Sequence, residues 1–391
     1  MKFPYSLPII IDGMTSCSEI TKDDPDNICA EKIIIDDPDI LISAKKSALE
    51  KGVNSLLSPT GGILHSRLKD LGYDDRFNEF ITKITGICSK TGGNDILTGG
   101  VITHKQVGRI EYKSPAFEDC YFSYLEKMTL LKDSGAKYVL LKNHKDLFNM
   151  RAGVLAARTA KLPVFVVMEV DDEGKNNEDT DYIAALITLQ ALGASAFGIY
   201  CTDGIKHETA LIKKAFPHAE IPLIAVINTQ TDTEKELQRI SEKGASIFID
   251  AAENMQKDKI EFLKDLPVKF NPYSEKDSFA AAIDREVFFL PETLIFSEPL
   301  YCSYDMSDEL IDFDDENINA VYIELTSADD ASYLCDNSNM TKLPFIIHSN
   351  DPIAIEAALR YFHGRLIIDT KCDIDEQKLH ALSKKYGAIL Y

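Results

Sequence analysis

The sequence predicts an α/β protein: a closed (β/α)8 barrel over residues 1–266, a linker over 267–285 and a smaller α/β domain over 286–391. Three observations carry this reading. Short apolar runs alternate with amphipathic helical stretches through the first two thirds of the chain. Glycine stands between a helix and the next strand at Gly52, Gly135, Gly193 and Gly244, where a helix end favours a left-handed residue. After Leu266 the patterning turns polar and then resumes in shorter units.

The predicted barrel strands are Pro8–Ile11, Ser55–Leu57, Ile96–Thr98, Tyr138–Leu141, Val164–Val170, Ala196–Tyr200, Leu223–Asn228 and Ser246–Asp250. Between them fall helices at Asp39–Lys51, Arg76–Ser89, Phe117–Ser134, Asp146–Thr159, Asp179–Leu192, His207–Phe216, Thr233–Lys243 and Gln256–Leu266. Strands alternating with helices imply parallel pairing and right-handed crossovers, and eight units in this length match a closed barrel. An open doubly wound sheet is the alternative. The tail predicts strands at Thr293–Phe296, Ala320–Leu325, Phe345–His348, Leu366–Asp369 and Ala388–Leu390. Its helices are expected at Pro352–Phe362 and Asp375–Tyr386, and the acidic run Asp312–Glu316 reads as a solvated loop.

Net charge is −21, which disfavours nucleic acid and anionic membranes as partners. No run approaches the roughly 18 apolar residues of a membrane span, and the first residues lack the basic region and cleavage site of a signal peptide. The expectation is a soluble, cytoplasmic protein. The eight cysteines are scattered and form no C-x-x-C pair, which points to packed thiols rather than disulfides.

Read in order, the barrel's strand-end segments are Ile11-Asp12-Gly13-Met14-Thr15-Ser16, Gly52-Val53-Asn54, Ser58-Pro59-Thr60-Gly61-Gly62 and Gly99-Gly100-Val101. There follow Leu141-Lys142-Asn143, Leu162-Pro163-Val164, Gly198-Ile199-Tyr200-Cys201, Ile221-Pro222-Leu223, Ile227-Asn228 and Gly244-Ala245-Ser246-Ile247. In that order and spacing the chain resembles the homocysteine S-methyltransferase family, including the homocysteine-binding barrel of cobalamin-dependent methionine synthase. The tail segment Leu343–Pro352 with Ile355–Leu359 and Gly364 resembles part of the pterin-binding barrel that follows it in methionine synthase. Here His348 and Asp369 replace that barrel's strand-end aspartate and asparagine.

The resemblance implies a zinc ion held by one cysteine after the sixth strand and an adjacent cysteine pair after the eighth, activating the homocysteine thiol. Cys201 occupies the first of these positions, but Ala251 and Ala252 replace the pair, and alanine cannot ligate. No cofactor is therefore expected, unless zinc is held by a site rebuilt around Cys201 with Asp250, Glu253, His104 or His144. Lys142 replaces an acidic residue that the family can pair with the substrate's ammonium group. An inward Glu169 on the fifth strand is expected to pair with Lys142.

Asp12, Thr60, Lys142, Glu169 and Asn228 form the candidate substrate-binding set at strand ends, where active sites of such barrels lie. Asp12 reads equally as a ligand-orienting group or as part of the turn after the first strand. Two functional readings stay open. One is a ligand- or partner-binding paralogue without zinc-dependent thiol methylation. The other is an active methyltransferase acting on homocysteine or another thiol around Cys201. A small molecule at the barrel mouth and a corrinoid or methionine-synthase-type partner protein are the implied partners.

Overall fold

The computed structural model describes residues 3–103, 114–142, 146–269 and 279–391. Eight parallel strands close on themselves in chain order: β1 (Ile9–Asp12), β2 (Ser55–Ser58), β3 (Leu97–Thr103), β4 (Tyr138–Lys142), β5 (Val164–Val170), β6 (Ala196–Cys201), β7 (Leu223–Ile227) and β8 (Ala245–Asp250). Closure is made by β1 lying parallel to β8, with Ile9 beside Ile247 and Asp12 beside Asp250. The open-sheet alternative is excluded, and the eight expected strands all form.

Helices lie between the strands as the apolar spacing predicts, including Asp39–Lys51, Phe77–Gly92, Leu147–Ala160, Tyr182–Leu192 and Ile205–Ala215. Gly193 ends the Tyr182–Leu192 helix at φ 111°, a conformation that L side chains rarely adopt. Among the described residues of the barrel, three short α-helices go beyond the expected ones: Cys17–Thr21, Ala30–Asp36 and His65–Asp70, all in connections after β1 and β2.

Side chains alternate along each strand, so two cores result. Ile9, Ile11, Leu57, Val101, Tyr138, Leu140, Phe165, Val167, Ala196, Ile224, Val226, Ile247 and Ile249 fill the lumen. Their neighbours, among them Ile10, Ile102, Val139, Val166, Ile199 and Phe248, face the helix layer. In the lumen Tyr138 stacks on Phe165 at 4.4 Å, and its hydroxyl is hydrogen-bonded to Ser55 Oγ at 2.8 Å. Phe3 and Tyr5 close the N-terminal end against the same rings.

The segment expected as a linker ends in a strand, β9 (Ala280–Ala282), which pairs antiparallel with β10 (Val287–Phe289). Its three alanines are fully buried, so this stretch belongs to the tail's core rather than to a solvated connection. The tail sheet is wholly parallel and runs in chain order: β11 (Leu300–Tyr301), β12 (Val321–Glu324), β13 (Phe345–His348), β14 (Ile367–Ile368) and β15 (Ile389–Leu390).

Two tail expectations are corrected. Thr293–Phe296 is not the first strand. Its backbone donors go to side chains, Leu294 N to Tyr391 Oη and Ile295 N to Asn319 Oδ1, so no ladder forms beyond one bridge from Phe296 to Ala320. The acidic run is not simply a solvated loop either. Asp312 and Phe313 complete a helix, Ser307–Phe313, and the Asp314 carboxylate accepts from Thr341 Oγ1 at 2.6 Å and Lys342 N at 2.9 Å.

The tail packs on the flank of the barrel. Arg151, fully buried in the Leu147–Ala160 helix, donates to the carbonyls of Leu359 at 2.6 Å, Arg360 at 3.0 Å and Phe362. These are the orphan carbonyls at the end of the Pro352–Tyr361 helix, where a cation is electrostatically favoured. Arg360 in turn makes a two-pronged ion pair with Glu118 of the Ser114–Asp133 helix.

Candidate functional site

The lumen pattern, extended one step past the packed layers, fixes which side chains reach the C-terminal mouth. Lys142 follows Leu140, Glu169 follows Val167, Tyr200 follows Gly198, Asn228 follows Val226 and Ala251 follows Ile249. Glu169, Tyr200 and Ala251 are exposed although each lies within one residue of the end of a barrel strand, so the mouth is open at their level. Lys142 is half-buried and lies beside Val167 in register, one layer below Glu169, which lies beside Tyr200.

The expected Lys142–Glu169 ion pair is not formed: among the described residues no salt bridge joins them, and the register sets them in different layers. Among the described residues neither side chain has a hydrogen-bond or ion-pair partner, the cation lying deeper and the anion nearer the rim. Asn228 has already committed its Oδ1 to the backbone N–H of Gln230 at 3.0 Å, which shapes the turn after β7.

The structure places the other candidates away from this opening. Asp12 points to the helix layer, fully buried, where it accepts from Lys45 Nζ and from the Leu57 backbone, each at 2.5 Å. Burial raises its carboxyl above the usual range, and Lys45 opposes that rise. Asp12 thus ties β1, β2 and the Asp39–Lys51 helix together. Thr60 is equally enclosed: its hydroxyl donates to Val101 O at 2.8 Å and accepts from Val101 N at 3.0 Å, while its carbonyl accepts from Lys127 Nζ at 2.7 Å. His104 and His144 lie outside the described residues.

Cys201 also sits on the helix-facing side of β6, in the outer core, with 2% of its surface exposed. Its thiol donates to the Asp171 carbonyl at 3.5 Å, and burial pushes its pKa up. A protonated, enclosed thiol is a poor metal ligand and a poor nucleophile. Ala251 is at the rim and Ala252 is buried. Asp250 accepts from the Thr229 backbone at 3.1 Å, the Thr229 hydroxyl at 2.6 Å and the Ala252 backbone at 3.0 Å. Glu253 is exposed and pairs with Lys22.

Zinc sites in proteins take three or four protein donors. Among the described residues no three histidine, cysteine, aspartate or glutamate side chains are grouped to hold a metal. The described residues do not fit zinc.

Sequence reasoning missed the buried charges that hold the mouth's frame. Glu208 accepts the backbone N–H groups of Cys201 at 3.1 Å and Val226 at 2.8 Å, bridging β6 and β7, and burial pushes its carboxyl up to about 8. Lys127, fully buried, donates to the carbonyls of Thr60 and Ile63, and burial lowers its ammonium to about 7. Glu31 pairs with Arg67 at 2.9 Å, nearly out of solvent. A signal was present: Lys45 falls four after Leu41 and three before Ala48, on the apolar face of its helix.

The homocysteine S-methyltransferase family model matches residues 9–263. Methionine synthase of Mycobacterium tuberculosis is 26% identical over 207 residues, covering 49% of this chain but only 17% of that protein. Among solved structures, the metallated form of the Escherichia coli homocysteine methyltransferase MmuM superposes with a TM-score of 0.54 at 15% identity, over 66% of this chain and 95% of that one. Its oxidized form superposes at 0.53 and 14% identity, over 66% and 94%. At that identity the likeness is one of fold. Among the described residues no helix is long and apolar enough to cross a membrane. The chain belongs to the homocysteine S-methyltransferase family.

Proposed function

We propose that this protein is a divergent, cytoplasmic homocysteine S-methyltransferase-like paralogue that binds a small molecule at its barrel mouth and does not carry out zinc-dependent thiol methylation. The observation that supports this best is the donor set. Cys201 faces the helix layer and alanines stand at both remaining positions that the family resemblance assigns to zinc. The unspent Lys142 and Glu169 replace metal–thiolate chemistry with charge recognition. A corrinoid or methionine-synthase-type protein is the partner this reading names.

The test is methyl transfer to homocysteine with methylcobalamin as donor, followed as methionine formed. The expected rate equals that of the protein-free control. Turnover that is lost in Cys201→Ala would overturn the proposal in favour of an active transferase built around that thiol.

A further inference from the structure

The tail sheet carries a row of functional side chains that the barrel reading does not use. Tyr301 on β11 is in register with Glu324 on β12, and Glu324 with His348 on β13. Asp369 follows Ile368 at the end of β14, next to His348. The row stands at the C-terminal ends of parallel strands, where ligands of α/β sheets bind. It continues the sheet face that carries Tyr322, Ile346, Ile367 and Ile389, opposite to the face packed on helices.

Asp369 is fully engaged. Its Oδ2 accepts from Tyr322 Oη at 2.6 Å and from His348 Nδ1 at 3.2 Å, and its Oδ1 accepts the Lys371 backbone N–H at 3.0 Å. These bonds hold it as a carboxylate, below its ordinary pKa despite its burial. With Nδ1–H given to Asp369, Nε2 is the ring atom left for other work. The ring is held in place by stacking on Tyr322 at 5.9 Å.

Nε2 lies 3.9 Å from Glu324 Oε1, too far for a hydrogen bond. Among the described residues no donor lies within hydrogen-bond distance of the Glu324 carboxylate, whose side chain is 24% exposed. One nitrogen placed about 2.8 Å from both atoms would close that gap. Beside it Tyr301 is 61% exposed, an aromatic face next to an unneutralised carboxylate. Such a pairing favours an ammonium group.

We propose that the C-terminal strand ends of the tail form a second site, separate from the barrel mouth, that takes a small primary amine. Glu324 accepts from the ammonium group, the Tyr301 ring faces it, and His348, oriented by Asp369, accepts a hydrogen bond from it at Nε2. The amine keeps its protons, because an alkylammonium holds a proton roughly four pH units more tightly than an imidazole. An anion would meet two carboxylates and be repelled.

The experiment is a long-range 1H–15N NMR titration of the full chain labelled at histidine nitrogens, with methylammonium chloride as probe. Potassium chloride and sodium acetate serve as ionic-strength and anion controls, and His348→Asn identifies the resonance. The expected result is a saturable shift of His348 Nε2 with methylammonium alone, weakened roughly tenfold in Glu324→Gln. Asp369→Asn should also remove the free protein's preference for the Nδ1–H tautomer. No saturable shift, an equal response to the control salts, or unchanged affinity in a folded Glu324→Gln would overturn the proposal. An Nε2–H tautomer in the free protein would do so independently of any ligand.

Discussion

Cys201 directs its thiol to the carbonyl oxygen of Asp171 at 3.5 Å, on the side of β6 that packs against helices. The neighbouring Tyr200 takes the position that faces the mouth. One residue of strand parity therefore separates a mouth-facing side chain from an enclosed one.

The first expectation follows from that geometry. In the native protein Cys201 should alkylate with iodoacetamide far more slowly than in the urea-unfolded chain, because the reactive thiolate is both shielded and disfavoured. Peptide mass spectrometry after timed labelling measures it. Native labelling as fast as unfolded would place the thiol at the mouth after all.

Lys45→Met should cost about 3–5 kcal/mol, since it strands the Asp12 carboxylate in a fully buried position. Asp12→Ala combined with Lys45→Met should be more stable than Lys45→Met alone, because no uncompensated charge remains. Urea denaturation of the three proteins gives the comparison. A single-mutant cost below about 1 kcal/mol, the range of an exposed pair, would contradict the buried clamp.

Arg151→Met should destabilise the chain by about 3 kcal/mol or more, because three carbonyls at the end of a tail helix lose a charged donor. The tail should also become the first segment cut in limited proteolysis. Equal cutting of barrel and tail would mean that Arg151 does not govern their docking.

Glu208 makes stability depend on pH. Its folded-state carboxyl sits at about 8, above its ordinary 4.5, so its contribution is complete below about pH 4.5 and is lost as pH rises through about 8. Between those values this group alone should lower stability by at most about 1.4 kcal/mol per pH unit. Thermal melts from pH 5 to 8 should show the decline, and Glu208→Gln should flatten it. A variant with an unchanged slope would assign the effect elsewhere.

The barrel was legible because its signals are local and repeated. Val164–Val170 reads as a buried strand and Gly193 as a helix end, and both occur as expected. The candidate site was less legible because period-two alternation shows that neighbours face opposite ways, not which of them faces the lumen. Thus Lys142 and Glu169 reach the mouth, while Asp12 and Cys201 turn outward. The absence of a Lys142–Glu169 bridge depends on strand stagger, which only pairing reveals. In the tail, Leu300–Tyr301 is too short to carry a pattern, and Thr293–Phe296 has strand-like residues whose backbone bonds are taken by Tyr391 and Asn319.

The most direct test of the central claim is the zinc content of the purified protein and of Cys201→Ala, by inductively coupled plasma mass spectrometry. The account predicts no stoichiometric zinc in either. Stoichiometric zinc in the parent protein that disappears in Cys201→Ala would contradict it and return the chain to metal-dependent thiol chemistry.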